Sequence, residues 1–433
     1  MLKTLDGSAK VDAEGLNNFL DFGYSVLEKT PFVDVKFLKY DSKIILTDGE
    51  LLVDYKKNGL IEFPEKNSEP TEVIKLIKDY INNYESLVEN DIIIPTSGGF
   101  DSRLLNITVT NKKRIRSFTY GLSDNQEESY EVVKAKKISQ ILNTNWQQIE
   151  LGDFNKFYKQ WFFLFGCSTH LHGMYHIEFY SQIKKILKEK NCTLLSGIIG
   201  DAWSGKVLIP VINSHKDLTN IGITHNFSCN SKYSKLPKKQ EKAMSFTKDN
   251  YQSLQDPRFR VITAIRFKII LLSYLMSIPD YFGFLSWTPF LNKNIVLNTL
   301  SLPEEEKSNR KWEVDYFKTN NLDLESIDLK YSKQNSLNAF SLKFSIVPAL
   351  DRNTLSPYMK ENVLKKINKV YDRIIEGKIT ENDLWYRLLK KKFIYGLATR
   401  LKINMNFLKP YYCLLTLKAF ELSFKLSKED DKK

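Results

Sequence analysis

Residues 91–105 read DIIIPTSGGFDSRLL, a short apolar run that ends in Ser97-Gly98-Gly99-Phe100-Asp101-Ser102. The hydroxyls of Ser97 and Ser102 are hydrogen-bond donors. Gly98 and Gly99 let the chain turn tightly and let an anion reach the backbone amides. A helix that begins straight after such a loop offers further unpaired N–H groups. Asp101 is the misfit, because a carboxylate repels phosphate unless a divalent cation lies between them. The set predicts a phosphate or pyrophosphate site with a metal, in which a side chain at Gly98 would fill the anion cradle. A serine-glycine turn that only caps a helix is the plainer alternative. The chain has no GxxxxGK[ST] loop, and this loop is not a GxGxxG.

Two other stretches carry candidate chemistry. SGIIGDAWSG, from Ser196 to Gly205, places Asp201 in a second glycine-bearing loop. HLHGMYH brings His170, His172 and His176 close together. No cysteine or carboxylate stands at an obvious ligand spacing beside them. Ordinary packing is therefore weighed above a polar contact to a bound substrate, and that contact above a metal site.

The elements that must position these residues alternate in type. Ile92 to Pro95 reads as a buried strand, Asp101 to Thr110 as a helix and IRSFTYG as a second strand. QEESYEVVKAKKISQIL follows as a helix, WQQIEL as a third strand and CTLLSG as a fourth. This alternation predicts α/β architecture, a parallel sheet with helices on both faces. Ligands in such sheets bind outside the carboxyl ends of the strands, where both glycine loops fall. Before this region, residues 1–85 predict a small α+β part. It holds a hairpin turning at Asp48-Gly49 and a helix with Val73, Ile74, Ile77 and Ile81 inward, capped at Thr71. Beyond about residue 215 the pattern is mostly helical, and RVITAIRFKIILLSYLMSI predicts a buried helix. Phe317 to Phe340 is polar and predicts a loop. The divisions expected are 1–85, 86–340 and 341–433.

The 433 residues are 42% hydrophobic and 27% charged, enough for a sizeable core. The net charge of +13 and pI near 9.2 suit nucleic acid, anionic lipid or a phosphorylated ligand. No cysteine pairs or clustered base-stacking aromatics accompany the charge, which argues against nucleic acid. From Leu384 to Phe420 there are eight Lys or Arg and no Asp or Glu. That run predicts a helix pair that covers the protein's own core with a solvated basic face. Peripheral contact with an anionic membrane surface, or with an acidic partner, is the alternative. Cys167, Cys192, Cys229 and Cys413 form no CxxC pair, and the first residues lack the apolar stretch of a signal peptide. The longest apolar run, around Ile269 to Met276, is about half a membrane span. A cytoplasmic protein is expected.

Ser97 to Ser102 resembles the SGGxDS pyrophosphate loop of the N-type ATP pyrophosphatases. SFTYGLSDNQEESYEVVKAKKISQILNTN narrows the resemblance to the asparagine synthetase-like group. LLSGIIGDAWSG is similar to that group's second loop, SGxGxDExxGG, and SIPDYFGFLSWTPFLNKNIV to its D…ExRxPFLD segment. The resemblance covers about residues 15–335. It implies an adenine nucleotide alpha hydrolase-like fold and a Mg-ATP-dependent ligase or amidotransferase that releases AMP and pyrophosphate. Such an enzyme adenylates an acidic acceptor, here a sugar acid or surface-glycan precursor, for attack by ammonia or an amine. The alternative is a non-catalytic ATP-binding subunit. By the same resemblance Ser97, Gly98, Gly99, Ser102, Gly197 and Gly200 would hold phosphate. Asp101 and Asp201 would hold Mg²⁺, and the backbone from Ser117 to Tyr120 would meet adenine. KYSKQNS points to Lys333 as the cation that stabilises the transition state, with Lys311 as fallback.

Several positions depart from that pattern. Ile198 stands where the group has a Glu or Tyr, and Ala202 where it has Glu. Leu285, Trp287 and Asn292 replace charged residues of the later segment. Isoleucine and leucine cannot transfer protons. The activation half is thus kept and the nitrogen-transfer half altered. The group's N-terminal glutaminase, with its cysteine after the initiator, is lacking here: residue 2 is Leu, and residues 1–85 are too few for that domain. A separate ammonia-supplying protein, free ammonia or a substrate amine is expected instead.

Overall fold

The computed structural model describes residues 10–38, 42–55, 63–64, 66–188, 192–222, 229–378 and 408–429. Its centre is a five-stranded sheet: β3 (Ile92–Pro95), β4 (Ile115–Thr119), β5 (Asn145–Gln148), β6 (Cys192–Leu195) and β7 (Phe284–Trp287). The spatial order is β5-β4-β3-β6-β7 and every neighbouring pair is parallel. β7 was not anticipated as a strand.

The central strands β3 and β6 are short and apolar because both faces are covered, whereas β5 at the sheet's edge, Asn-Trp-Gln-Gln, is partly exposed. Along β3, Ile93 enters one core cluster, with Phe118, Leu194 and Phe284. Ile92 and Ile94 enter another, with Ile115, Leu195 and Trp287. Helices supply the rest of both layers, α/β architecture as expected.

The chain builds β3, β4 and β5 outward in one direction, then returns to place β6 and β7 on the other side of β3. The switch point therefore lies between β3 and β6, and crevices form outside the carboxyl ends at such points. Ser97–Gly99 leaves β3 there and Ser196–Ile199 leaves β6 there.

The N-terminal part holds helix α1 (Ala13–Phe22), hairpin strands β1 (Ser42–Thr47) and β2 (Glu50–Tyr55), and helix α2 (Pro70–Leu87). The hairpin turns through left-handed Asp48 and Gly49, φ 52° and 81°, as two-residue turns favour. α2 starts earlier than the expected Thr71 cap, with Glu69 at the cap position and Pro70 in the first turn.

Residues at both ends of the chain share a core with the sheet. Phe32 lies 5.7 Å from Phe420 between ring centres, and Leu16 and Phe19 join the same cluster as Leu414 and Leu417. The helix Lys409–Glu429 is thus buried from Tyr411 to Ser423, and Tyr411 Oη donates to Asn155 Oδ1 at 2.6 Å. Most of the basic run, residues 384–407, lies outside the described residues.

The apolar stretch exceeds the half span expected from Ile269 to Met276. Pro257–Tyr281 is long and apolar enough to cross a membrane, with mean hydropathy 1.8, yet half of that window is buried inside the protein. Between the helices Lys311–Thr319 and Leu337–Ser341 the chain is non-helical, the loop expected from its polarity.

Candidate functional site

β3 delivers the chain to a loop that bonds to itself. The Ser97 N–H donates to Ser102 Oγ at 3.3 Å, and Ser102 Oγ donates to the Gly99 carbonyl at 3.2 Å. Helix α3 (Phe100–Thr108) begins at once, and no side chain caps its first turn, so amides there stay available to a ligand. Gly98 has φ +72°, and an added Cβ would lie 2.3 Å from Lys134 Cβ on helix α4 (Tyr130–Leu142). Bulk at Gly98 would therefore collide with α4 rather than fill the anion cradle. Its role is to shape the loop.

A charged anchor holds this loop from behind. Arg103 is fully buried; its Nη2 donates to the Gly98 carbonyl at 3.0 Å and to Glu325 Oε1 at 3.0 Å. Its Nη1 donates to Glu325 Oε2 at 2.7 Å, and Lys134 Nζ donates to Glu325 Oε1 at 2.7 Å. The polar loop after Thr319 thus returns Glu325 to fix the glycine turn.

β6 ends in the second loop. Ile199 is left-handed at φ 54°, and a single helical turn, Gly200–Trp203, follows. Gly200 lets the loops touch: a Cβ there would sit 2.8 Å from Asp101 Cγ. At Gly197 a Cβ would lie 3.3 Å from Asp101 Cβ. The Asp201 N–H donates to Asp101 Oδ2 at 3.0 Å. The two carboxylates that the sequence pairs are neighbours.

Cations that the sequence did not single out complete the cluster. Arg310 Nη2 donates to Asp101 Oδ1 and, at 2.7 Å, to Glu313 Oε1. Lys206 Nζ lies 3.2 Å from Asp201 Oδ2. Burial raises the Asp101 carboxyl above its ordinary range; Arg310 opposes this and Asp201 adds to it. Burial also pushes Glu313 up to about 7, against the pull of Arg310. For Arg310 burial alone would favour the neutral form, and the Glu313 and Asp101 carboxylates outweigh it and raise its pKa. Burial lowers Lys268, and Asp201 opposes that.

A cleft of about 960 Å³ opens from this cluster. Ser97, Gly99, Asp101, Ser102, Gly197 and Asp201 line it, as do Phe118, Thr119 and Tyr120 at the end of β4. Ser117 is buried beneath, donating to Asn106 Oδ1 at 3.1 Å and accepting from Thr96 Oγ1 at 3.2 Å. The far wall holds Glu131, His176, Phe179 and Tyr180. Burial raises the Glu131 carboxyl, a further feature the sequence did not signal.

Lys333 is not on the cleft: it is exposed, with Nζ 5.7 Å from the Tyr331 ring centre. Lys311 also lies off it, at 2.5 Å from Glu306 and 3.5 Å from Asp315. Arg310, in contrast, lines the cleft and reaches Asp101. Of the altered residues, Ile198 lines the cleft, whereas Leu285 is 60% exposed on β7 and Trp287 stacks on Tyr84 at 3.5 Å. Asn292 caps the helix Lys293–Leu300.

His170 and His172 sit ring to ring at 4.1 Å, and burial holds His170 well below the ordinary imidazole range. Burial brings His176 down to about 3, so it is neutral at any physiological pH. Among the described residues no group of three or more His, Cys, Asp or Glu side chains converges as a metal site. Asp101 and Asp201 form a pair instead. A pair suits Mg²⁺, which takes one or two carboxylates and completes its shell from phosphates and water.

No protein-family model matches the chain, and no curated protein matches it. What the cleft can do is read from its own residues.

Proposed function

We propose that the cleft binds Mg-ATP and that the protein is an AMP- and pyrophosphate-forming carbon–nitrogen ligase or amidotransferase. The observation that carries this is the meeting of Asp101 and Asp201, from two glycine loops at a parallel sheet's switch point, beside the uncapped start of α3. The fold supports an adenine nucleotide alpha hydrolase-like assignment in its strand order and in where its loops fall.

The amides and hydroxyls of Ser97, Gly99 and Ser102 bind the β- and γ-phosphates. The base lies against Phe118 to Tyr120. A carboxylate oxygen of the acceptor attacks the α-phosphorus; the bond from that phosphorus to the bridging oxygen breaks, and pyrophosphate leaves with the electron pair. A nitrogen nucleophile then attacks the acyl-adenylate carbon, AMP leaves, and the nitrogen gives up its proton. Asp101 and Asp201 would hold Mg²⁺, which when bound neutralises charge on the phosphates. Positioning and charge neutralisation supply most of the rate in such transfers. Lys206 at the rim supports an acidic acceptor, for which a sugar acid or surface-glycan precursor is the class carried forward. The nitrogen arrives as ammonia, free or from a partner protein, or as a substrate amine.

Ile198 favours a second reading, a nucleotide-binding subunit without turnover, because this cleft position cannot move a proton. The test is incubation with ATP, Mg²⁺, ammonia and pooled acidic sugars, following AMP and pyrophosphate. Acceptor-dependent pyrophosphate release supports the ligase. ATP binding with no release on any acceptor leaves the subunit, and absence of ATP binding overturns both.

A further inference from the structure

Arg310 is placed more elaborately than a structural ion pair requires. Asn309 and Arg310 are consecutive non-glycine residues in the left-handed region, φ 52° and 57°. Backbone of this kind is costly and concentrates at functional sites. Ser308, Asn309 and Arg310 all line the cleft. Glu313, fully buried, receives Nε and Nη2 of the guanidinium from behind. Phe100, the variable residue of the first loop, lies under it with 4.8 Å from the guanidinium carbon to the ring centre. Nη2 reaches Asp101, while Nη1 has no hydrogen-bond partner among the described residues. A planar fork fixed on one edge, whose other edge holds only the Asp101 contact and an unpartnered Nη1 beside a cleft, can recognise phosphate oxygens once Asp101 is exchanged.

We propose that Arg310 is the anion-binding arm of this site, holding the pyrophosphate end of the nucleotide, and that its resting contact with Asp101 is exchanged for phosphate when metal and ligand enter. The inference rests on the Mg-ATP reading and deepens it. It also makes Arg310 and a divalent cation rivals for Asp101 Oδ1. Removing the guanidinium should weaken anion binding and strengthen cation binding, whereas loss of a merely structural contact would weaken both.

The test is calorimetric titration of the full chain with Mg-pyrophosphate, with Mg-ATP and with Mn²⁺ alone. Arg310→Ala should lose about tenfold or more in pyrophosphate affinity while binding Mn²⁺ several-fold more tightly. Arg310→Lys should fall between, since a point charge cannot make the forked contact. The double variant Arg310→Ala/Glu313→Ala removes the buried carboxylate that the single change strands, and serves if that variant misfolds; the same opposite shifts are expected. Lys311→Ala, outside the cleft, should bind both ligands as the parent does. Unchanged pyrophosphate affinity in folded Arg310 variants, or parallel loss of both ligands, overturns the proposal while the parent still binds Mg-ATP. A parent that binds neither Mg-ATP nor pyrophosphate overturns the nucleotide reading and this inference with it.

Discussion

The two loops at the sheet's carboxyl edge reach the same place by different means. The first takes its left-handed residue from Gly98, where it costs little, and is anchored through charges, Arg103 and Lys134 on Glu325. The second takes its left-handed residue from Ile199, where a β-branched side chain makes it costly. Neutral bonds anchor it: Trp203 Nε1 to the Phe290 carbonyl at 2.8 Å and Ser204 Oγ to the Gly200 carbonyl at 2.8 Å. One loop turns its backbone to the cleft. The other is packed against it, and its side chains at Ile198 and Ala202 fill space. The contrast explains why the first loop has a diagnostic composition and the second tolerates apolar residues.

Asp101 bridges the two, so its loss should have the largest effect. Asp101→Asn should lower Mg-dependent pyrophosphate formation about a hundred- to thousandfold, the scale of removing one aimed electrostatic group. Asp201→Asn should cost about tenfold less, because that side chain is more exposed and its ion pair is with the exposed Lys206. Equal losses would erase the asymmetry between the loops, and full activity in either variant would refute the two-carboxylate site.

Next comes the glycine turn. Gly98→Ala must place a Cβ 2.3 Å from Lys134 Cβ at φ +72°, and should destabilise by about 3 kcal/mol from overpacking and left-handed strain together. At Gly99 the nearest atom to an added Cβ is Ser97 Oγ at 3.2 Å and φ is −68°, so Gly99→Ala should cost under about 1 kcal/mol. Urea unfolding of both variants checks the contrast.

Much of this was legible in the sequence because it is local. Three isoleucines followed by serine and glycine fix a buried strand and its turn, and helical spacing from Tyr130 to Leu142 fixes α4. Phe284–Trp287 was missed as a strand because four residues carry too little pattern, and only pairing with β6 makes them one. Asp101 stands out as a carboxylate within a serine-glycine loop, and Asp201 is paired with it by the resemblance of the second loop. Arg310 could not be named, since it reaches Asp101 across 209 positions and nothing beside it marks it out. Local matching to KYSKQNS points to Lys333, which the fold leaves on the surface, because a short motif carries no information on long-range contacts.

Glu325 tests whether the first loop's charged anchor matters. Burial raises its carboxyl, but hydrogen bonds from Arg103 and Lys134 prevail and hold it at about 2, against an ordinary 4.5. A depressed folded value means that this stabilisation is complete above about pH 4.5 and is lost as pH falls towards 2. Glu325→Gln should cost roughly 2 kcal/mol at neutral pH, less than a fully buried pair because Glu325 is 38% exposed. The gap between variant and parent should close through that acid window. A constant gap from pH 6 to pH 2, measured by chemical unfolding, would show that the charge is not what holds the turn.

The neutral anchor of the second loop should give the smallest effect. Trp203→Phe keeps an aromatic ring in a site only 5% exposed and removes the Nε1–H that the Phe290 carbonyl accepts. A neutral hydrogen bond of this kind is worth about 1 kcal/mol net. The unfolding free energy in urea should fall by that amount, through a lower midpoint with the m-value unchanged. Because the first loop has its own anchor, Mg-pyrophosphate affinity should move by less than about threefold. A larger fall in affinity than in stability would mean that the Trp203 bond sets the position of Asp201 against Asp101, and that the two loops are one mechanical unit rather than a rigid loop with a packed neighbour.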